Sequence, residues 1–153
     1  MLFILFSKNQ NICIRKDAYK YILRGGKNVR KIILVGHGDG CIGMKKSAEM
    51  ILGKQDHLAA IALKESEGLN DYLEKVRTTV DEYMKDGYDG LLLLADIKGG
   101  TPGNVATLVG KQKDQVQVIV GYHLAMILTA CTNDKINSQE LLEETNQMIQ
   151  KVI

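Results

Sequence analysis

Three observations predict an α/β fold built on a mainly parallel sheet. Short continuous apolar runs recur at 31–35, 57–63, 90–96 and 115–121. Between them lie stretches whose apolar residues follow helical spacing. Parallel strands buried on both faces read as unbroken apolar runs, and their alternation with helices is the signature of this architecture. The third observation is size: 153 residues, 45% hydrophobic and 25% charged, suit one globular domain with a real core.

The elements follow in order. KIILV (31–35) is the first strand, and the glycines and histidine of VGHGDG follow it as a turn. Residues 42–52 form a helix that stops at Gly53, a residue able to take positive φ after the last turn. HLAAIAL (57–63) is the second strand, with His57 ahead of it on the surface. From Gly68 to Lys85, Leu69, Tyr72, Leu73, Val76, Val80, Tyr83 and Met84 share one helical face. GLLLLAD (90–96) is the clearest buried strand. Thr101 then caps a helix with Pro102 in its first turn. QVQVIVG (115–121) is the fourth strand, and a helix starts near Leu124. Asn137 or Ser138 caps a last helix with Leu141, Leu142, Thr145, Met148, Ile149 and Val152 on one side.

Composition removes several functions. The net charge of +2 divides into +7 over residues 1–31 and −5 over residues 32–153. The body is mildly acidic, which argues against a nucleic-acid-binding domain. Three cysteines without CxxC spacing argue against a disulfide framework or a zinc ribbon and for a reducing compartment. No apolar run approaches the ~18 residues of a membrane span, and MLFILF lacks the flanks of a signal peptide. Residues 1–30 have no clean period of 2 or 3.6 and carry the opposite charge to the rest. They read as an N-terminal extension: either a basic arm or a mis-called start, with Val29 the candidate true start behind a purine-rich Arg-Gly-Gly-Lys stretch.

In a parallel sheet, ligands bind beyond the carboxyl ends of the strands. The first strand is followed by Gly36, His37, Gly38, Asp39 and Gly40; the third by Asp96, Lys98, Gly99, Gly100, Thr101 and Pro102; the fourth by Gly121, Tyr122 and His123. One sheet edge therefore gathers imidazoles, a carboxylate, a hydroxyl and glycines. Glycine lets a bulky group approach closely. Two helix N-termini there favour an anion. A carboxylate accepting from one ring nitrogen fixes the tautomer and leaves the other nitrogen free to attack. His37 is the candidate phosphoryl acceptor, Asp96 its orienting group and Thr101 an oxyanion contact. Gly36, Gly38, Gly99, Gly100 and His123 line the site. His123 is as well explained as a plain strand-end residue, Asp96 and Thr101 each have a turn or capping explanation, and Cys41 reads best as a small buried hydrophobe.

At these residues the chain resembles the IIA components of the mannose family of the bacterial sugar phosphotransferase system. The likeness runs from Lys31 to the C-terminus through VGHG, SAEMILG, ESEGLNDY, LLLLADIKGGTPGNVA and VGYHLAMIL. ADIKGGTPGNVA is the specific block. The resemblance implies a doubly wound α/β sandwich over 31–153. It implies that His37 takes a phosphoryl group from the phosphocarrier HPr and passes it to a separate cognate IIB protein. Asp96 would orient His37, and Thr101 would lie at the phosphoryl site. It further implies a cytoplasmic protein, indirect association with the membrane IIC and IID components, and a homodimer. No metal or organic cofactor is required. The sequence departs from the family where Asn-Leu-Pro-Met is replaced by His123-Leu124-Ala125-Met126, which bears on the loop after the fourth strand. Ile42, Met44 and Ile97 lie near the rim and suit contact with a partner protein.

Other readings divide on single features. A histidine phosphatase has an arginine before its histidine, where Gly36 stands, and Arg77 is the one arginine after Lys31. The phosphotransferase subunit of dihydroxyacetone kinases lacks a GGTP-like block. A metal site from His37, Asp96 and His123 has no spacing that fixes its geometry. A regulatory module that senses phosphotransferase status without catalysis would share the same sequence features.

Overall fold

A computed structural model describes residues 29–153 except 87 and 89. The reading of residues 1–30 as an extension therefore lies outside the described residues, apart from 29 and 30. Arg30 is tied to the domain: its Nη1 donates to the Ile136 carbonyl at 2.7 Å.

Four strands form the sheet: β1 (Lys31–His37), β2 (Leu58–Leu63), β3 (Leu91–Ala95) and β4 (Val116–Val120). Their order is β2-β1-β3-β4 and every pair is parallel. The chain winds outward from β1 to β2, returns to β3 beside β1, and winds the other way to β4. That is a doubly wound sheet whose direction reverses between β1 and β3.

Among the described residues, five helices cover its two faces: α1 (Gly40–Leu52), α2 (Leu69–Lys85), α3 (Thr101–Gly110), α4 (Leu124–Thr132) and α5 (Ser138–Asn146). Successive strand residues point to opposite faces, and the core divides accordingly. Ile32, Leu34, Leu92, Leu94 and Ile119 meet Cys41 and Ala48 of α1, Met126, Ile127 and Ala130 of α4, and Leu141 of α5. Ile33, Val35, Leu91, Leu93 and Ala95 meet Tyr72, Val76 and Val80 of α2 and Val105, Ala106 and Val109 of α3. Every residue of β3 is buried, which is why its sequence shows leucines in a row rather than alternation.

Several expectations need correction. β1 does not stop at Val35. It continues through Gly36 to His37, which pairs with Leu63 of β2, and the Gly38 N–H donates to the Leu63 carbonyl at 2.8 Å. His37 therefore stands on the last residue of a strand. Gly100 holds the capping position of α3, so Thr101 is its first helical residue rather than its cap. The last helix begins as expected, with a capping box in which Asn137 accepts from the Glu140 N–H and Glu140 accepts from the Asn137 N–H. It ends at Asn146, leaving Met148, Ile149 and Val152 exposed. Three apolar residues continuing a helical period do not extend a helix when no neighbour covers that side. His57, expected on the surface, is buried. It sits where β2 begins, its carbonyl accepting from the Ile32 N–H at 2.8 Å. Burial and the nearby Lys31 cation pull its pKa down.

Candidate functional site

The switch point between β1 and β3 is where a doubly wound sheet opens a crevice. His37 and Asp96 stand at its two sides. In register, Val35 is level with Ala95, so Gly36 faces Asp96 and His37 projects one residue further out. Asp96 Oδ2 lies 2.8 Å from the His37 backbone nitrogen and 2.8 Å from His37 Nδ1. Its other oxygen, Oδ1, accepts from the Ile97 N–H at 2.8 Å. The carboxylate thus accepts from two backbone N–H groups and also contacts the ring. An ionised Asp96 accepts only, so in the neutral ring Nδ1 carries the proton and Nε2 keeps its lone pair. The His37 side chain is 49% exposed and that of Asp96 28%. The imidazole is therefore more open to solvent than the carboxylate it contacts.

Two glycines make this geometry possible. A Cβ on Gly36 would stand 3.2 Å from Asp96 Oδ2 and 3.2 Å from the Cys41 Cβ. A Cβ on Gly100 would stand 2.7 Å from His37 Cε1 and 3.3 Å from Nε2, inside the ring's own volume. The backbone at Gly100 thus passes close to the Cε1–Nε2 edge of the imidazole. Gly38 and Gly99 serve conformation instead, with φ of +52° and +82° and nothing within 4 Å of an added Cβ.

Gly100 also caps α3, so the first turn of that helix, with Thr101, begins beside the Cε1–Nε2 edge of the ring. Neither α1, starting at Gly40, nor α3 has a side-chain cap or an acidic residue in its first turn. α5, which starts elsewhere, has both. The N-terminus of α3, with glycine at its cap, therefore keeps its partial positive charge without a neighbouring carboxylate in its first turn.

The fourth strand delivers His123 near the same edge. Gly121 N–H and Tyr122 N–H both reach the Ala95 carbonyl, at 2.9 and 3.4 Å, which straps the loop to the end of β3. His123 takes the capping position of α4 in extended backbone, without a side-chain cap bond. Its Nε2 is enclosed and has no hydrogen-bond partner among the described residues. His37 and Asp96 are brought into contact; no bond links His123 to either of them among the described residues. Cys41 is buried, and burial pushes its thiol pKa up, which fits the small-hydrophobe reading. No group of three or more His, Cys, Asp or Glu suited to a metal occurs among the described residues. None of their helices is long and apolar enough to cross a membrane.

One contributor carries no signal in the sequence, the Ile97 N–H that holds Asp96, and the place of Gly100 at the ring edge goes beyond its reading as a residue lining the site. A backbone group has no residue type to read, and a glycine pair is an ordinary turn mark.

The family described as PTS system fructose IIA component, EIIA-man, matches residues 31–146. The fructose-specific EIIA component of Bacillus subtilis strain 168 is 28% identical over 121 residues, which cover 78% of this chain and 82% of that protein. The mannose-specific EIIAB component of Escherichia coli K12 is 30% identical over 97 residues, 63% of this chain but only 29% of that longer protein. Among solved structures, the mannose/sorbose-specific IIA subunit from Enterococcus faecalis superposes with a TM-score of 0.71 at 29% identity, covering 82% of this chain and 96% of that one. The fold and these matches define a phosphotransferase-system IIA domain. The chain belongs to the EIIA-man family, whose members act as phosphoryl carriers in sugar phosphotransferase systems and work with a phosphocarrier and a IIB component.

Proposed function

We propose that His37 is the residue of this domain that carries the phosphoryl group, at Nε2, receiving it from phospho-HPr and passing it to a cognate IIB protein. The observation that carries this reading is the 2.8 Å contact of His37 Nδ1 with Asp96 Oδ2. In the transfer step the Nε2 lone pair attacks phosphorus, the N–P bond to the donor histidine breaks, and its electron pair returns to the donor ring. Nδ1 keeps its proton, and the positive charge that spreads over the substituted ring is balanced by Asp96. Forward transfer to IIB repeats the step in the other direction. The reaction needs alignment and charge balance more than covalent machinery, and the contact of His37 with Asp96 serves both.

The phosphoryl oxygens take the N-terminal turn of α3, with Thr101 as a hydroxyl donor and Gly99 and Gly100 lining the approach. Gly36 and Gly38 clear the opposite side, and His123 borders the site. The domain spans 31–153 and acts in the cytoplasm as a homodimer, joining IIC and IID at the membrane through IIB. The relatives' names carry fructose, mannose and sorbose. In this reading the domain handles the phosphoryl group, and sugar choice sits with other components.

The test is incubation with phosphoenolpyruvate, enzyme I and HPr, followed by assay of acid-labile phosphate on the protein. Labelling of the wild type that disappears in His37→Ala is expected. Labelling that survives in His37→Ala overturns the assignment.

A further inference from the structure

Ile97 follows the carboxylate that orients the ring, and it is held from both ends of its own peptide. Its N–H donates to Asp96 Oδ1 at 2.8 Å. Its carbonyl oxygen lies 2.8 Å from where a Cβ on Gly103 would stand, so α3 packs directly on it. The side chain is 57% exposed, yet it does not point away from the site. Its Cγ2 lies 3.0 Å from the Cβ position of Gly100, the same point on which His37 Cε1 and Nε2 converge at 2.7 and 3.3 Å. An isoleucine methyl and the reactive edge of the imidazole therefore flank one glycine. A β-branched side chain is stiff about its first torsion, so this methyl stays where the backbone puts it.

We infer that Ile97 sets the lifetime of the phosphorylated protein by keeping water from the phosphorus atom between loading and onward transfer. This rests on the reading of His37 as the carrier. A phosphoryl group on Nε2 lies alongside the Ile97 methyl and the Gly100 backbone. The reaction to be suppressed is hydrolysis. Water oxygen attacks phosphorus, the P–Nε2 bond breaks, and its electron pair returns to Nε2. His37 is left neutral with its proton on Nδ1, and both water protons leave with phosphate. An apolar wall offers the incoming water no hydrogen bond and narrows its approach, a recognised way for a site to protect a reactive intermediate. An incoming partner histidine arrives with its own protein surface and covers the same wall, so productive transfer is not blocked.

The experiment loads wild type, Ile97→Ala, Ile97→Ser and Ile97→Leu from phosphoenolpyruvate, enzyme I and HPr. The donors are then removed, and the decay of acid-labile phosphate is followed. Ile97→Ala and Ile97→Ser should take up phosphate and lose it about threefold to tenfold faster than wild type. Ile97→Leu, which keeps the apolar bulk, should decay at close to the wild-type rate. Wild-type decay in the alanine and serine variants, with loading from HPr slowed, makes Ile97 a docking contact only and overturns the inference. Absence of label on the wild type removes the carrier reading itself, and the role of Ile97 with it.

Discussion

One oxygen of Asp96 serves two atoms of one residue: Oδ2 lies 2.8 Å from both the backbone nitrogen and the Nδ1 of His37. The backbone bond fixes where the end of β1 sits relative to β3, and the ring bond fixes the tautomer. Both depend on the same carboxylate, so position and protonation cannot be set independently.

Asp96→Asn disturbs both at once. The carboxylate accepts from three N–H groups, two on His37 and one on Ile97. An amide has one oxygen and must turn its NH₂ toward at least one of these donors. Phosphoryl transfer from HPr should fall on the order of 10²-fold, with the unfolding midpoint little changed. Rapid-quench transfer rates together with thermal melts give the check, and unchanged transfer removes Asp96 from the mechanism.

Gly100→Ala places a methyl 2.7 Å from His37 Cε1. The ring is half exposed and can swing away, so the fold should survive with a loss below about 1 kcal/mol. Swinging costs the Nδ1 contact to Asp96, so transfer should drop by roughly tenfold or more. Denaturant titration and transfer assays on the same preparation distinguish the two effects.

His123→Asn exchanges an imidazole that makes no capping bond for a residue whose side chain caps well in the same extended backbone. The enclosed, unpartnered Nε2 is removed with it. A gain of about 0.5–1 kcal/mol in unfolding free energy is expected, with phosphate uptake retained. Lost uptake would give His123 an essential part in the chemistry.

His57 predicts acid sensitivity. Its folded pKa is lowered by burial and by Lys31 from an ordinary value of 6.5. Above pH 6.5 both folded and unfolded forms are neutral, and the residue adds no pH dependence. Below it the unfolded chain binds a proton that the folded chain refuses, so stability falls as pH drops. The slope approaches about 1.4 kcal/mol per pH unit at most. Urea unfolding between pH 5 and 8 should show this fall in the wild type and a shallower one in His57→Gln.

Much of the architecture was legible because burial on two faces leaves a mark in one dimension. The leucine run 91–94 could only be a covered strand, and glycines and titratable groups after three such strands pointed to one edge of the sheet. The capping box at Asn137 was local and therefore readable. The end of the last helix was not, because Met148, Ile149 and Val152 continue the period without a surface to cover them. The burial of His57 was hidden for the same reason: a lone histidine before a strand shows nothing of what packs over it.

The order of residue types thus determined the class of fold, the edge where chemistry gathers, and the choice of His37 and Asp96 as a candidate pair. Tertiary structure decided what lies against what. It ran β1 on to His37, put the direction change between β1 and β3, and brought the imidazole edge and the Ile97 methyl to the two sides of Gly100. The physical reason is range. Periodicity and capping act over a few residues, whereas His37 and Asp96 are 59 residues apart. Their contact exists only once parallel pairing has fixed the register of two strands to a single residue.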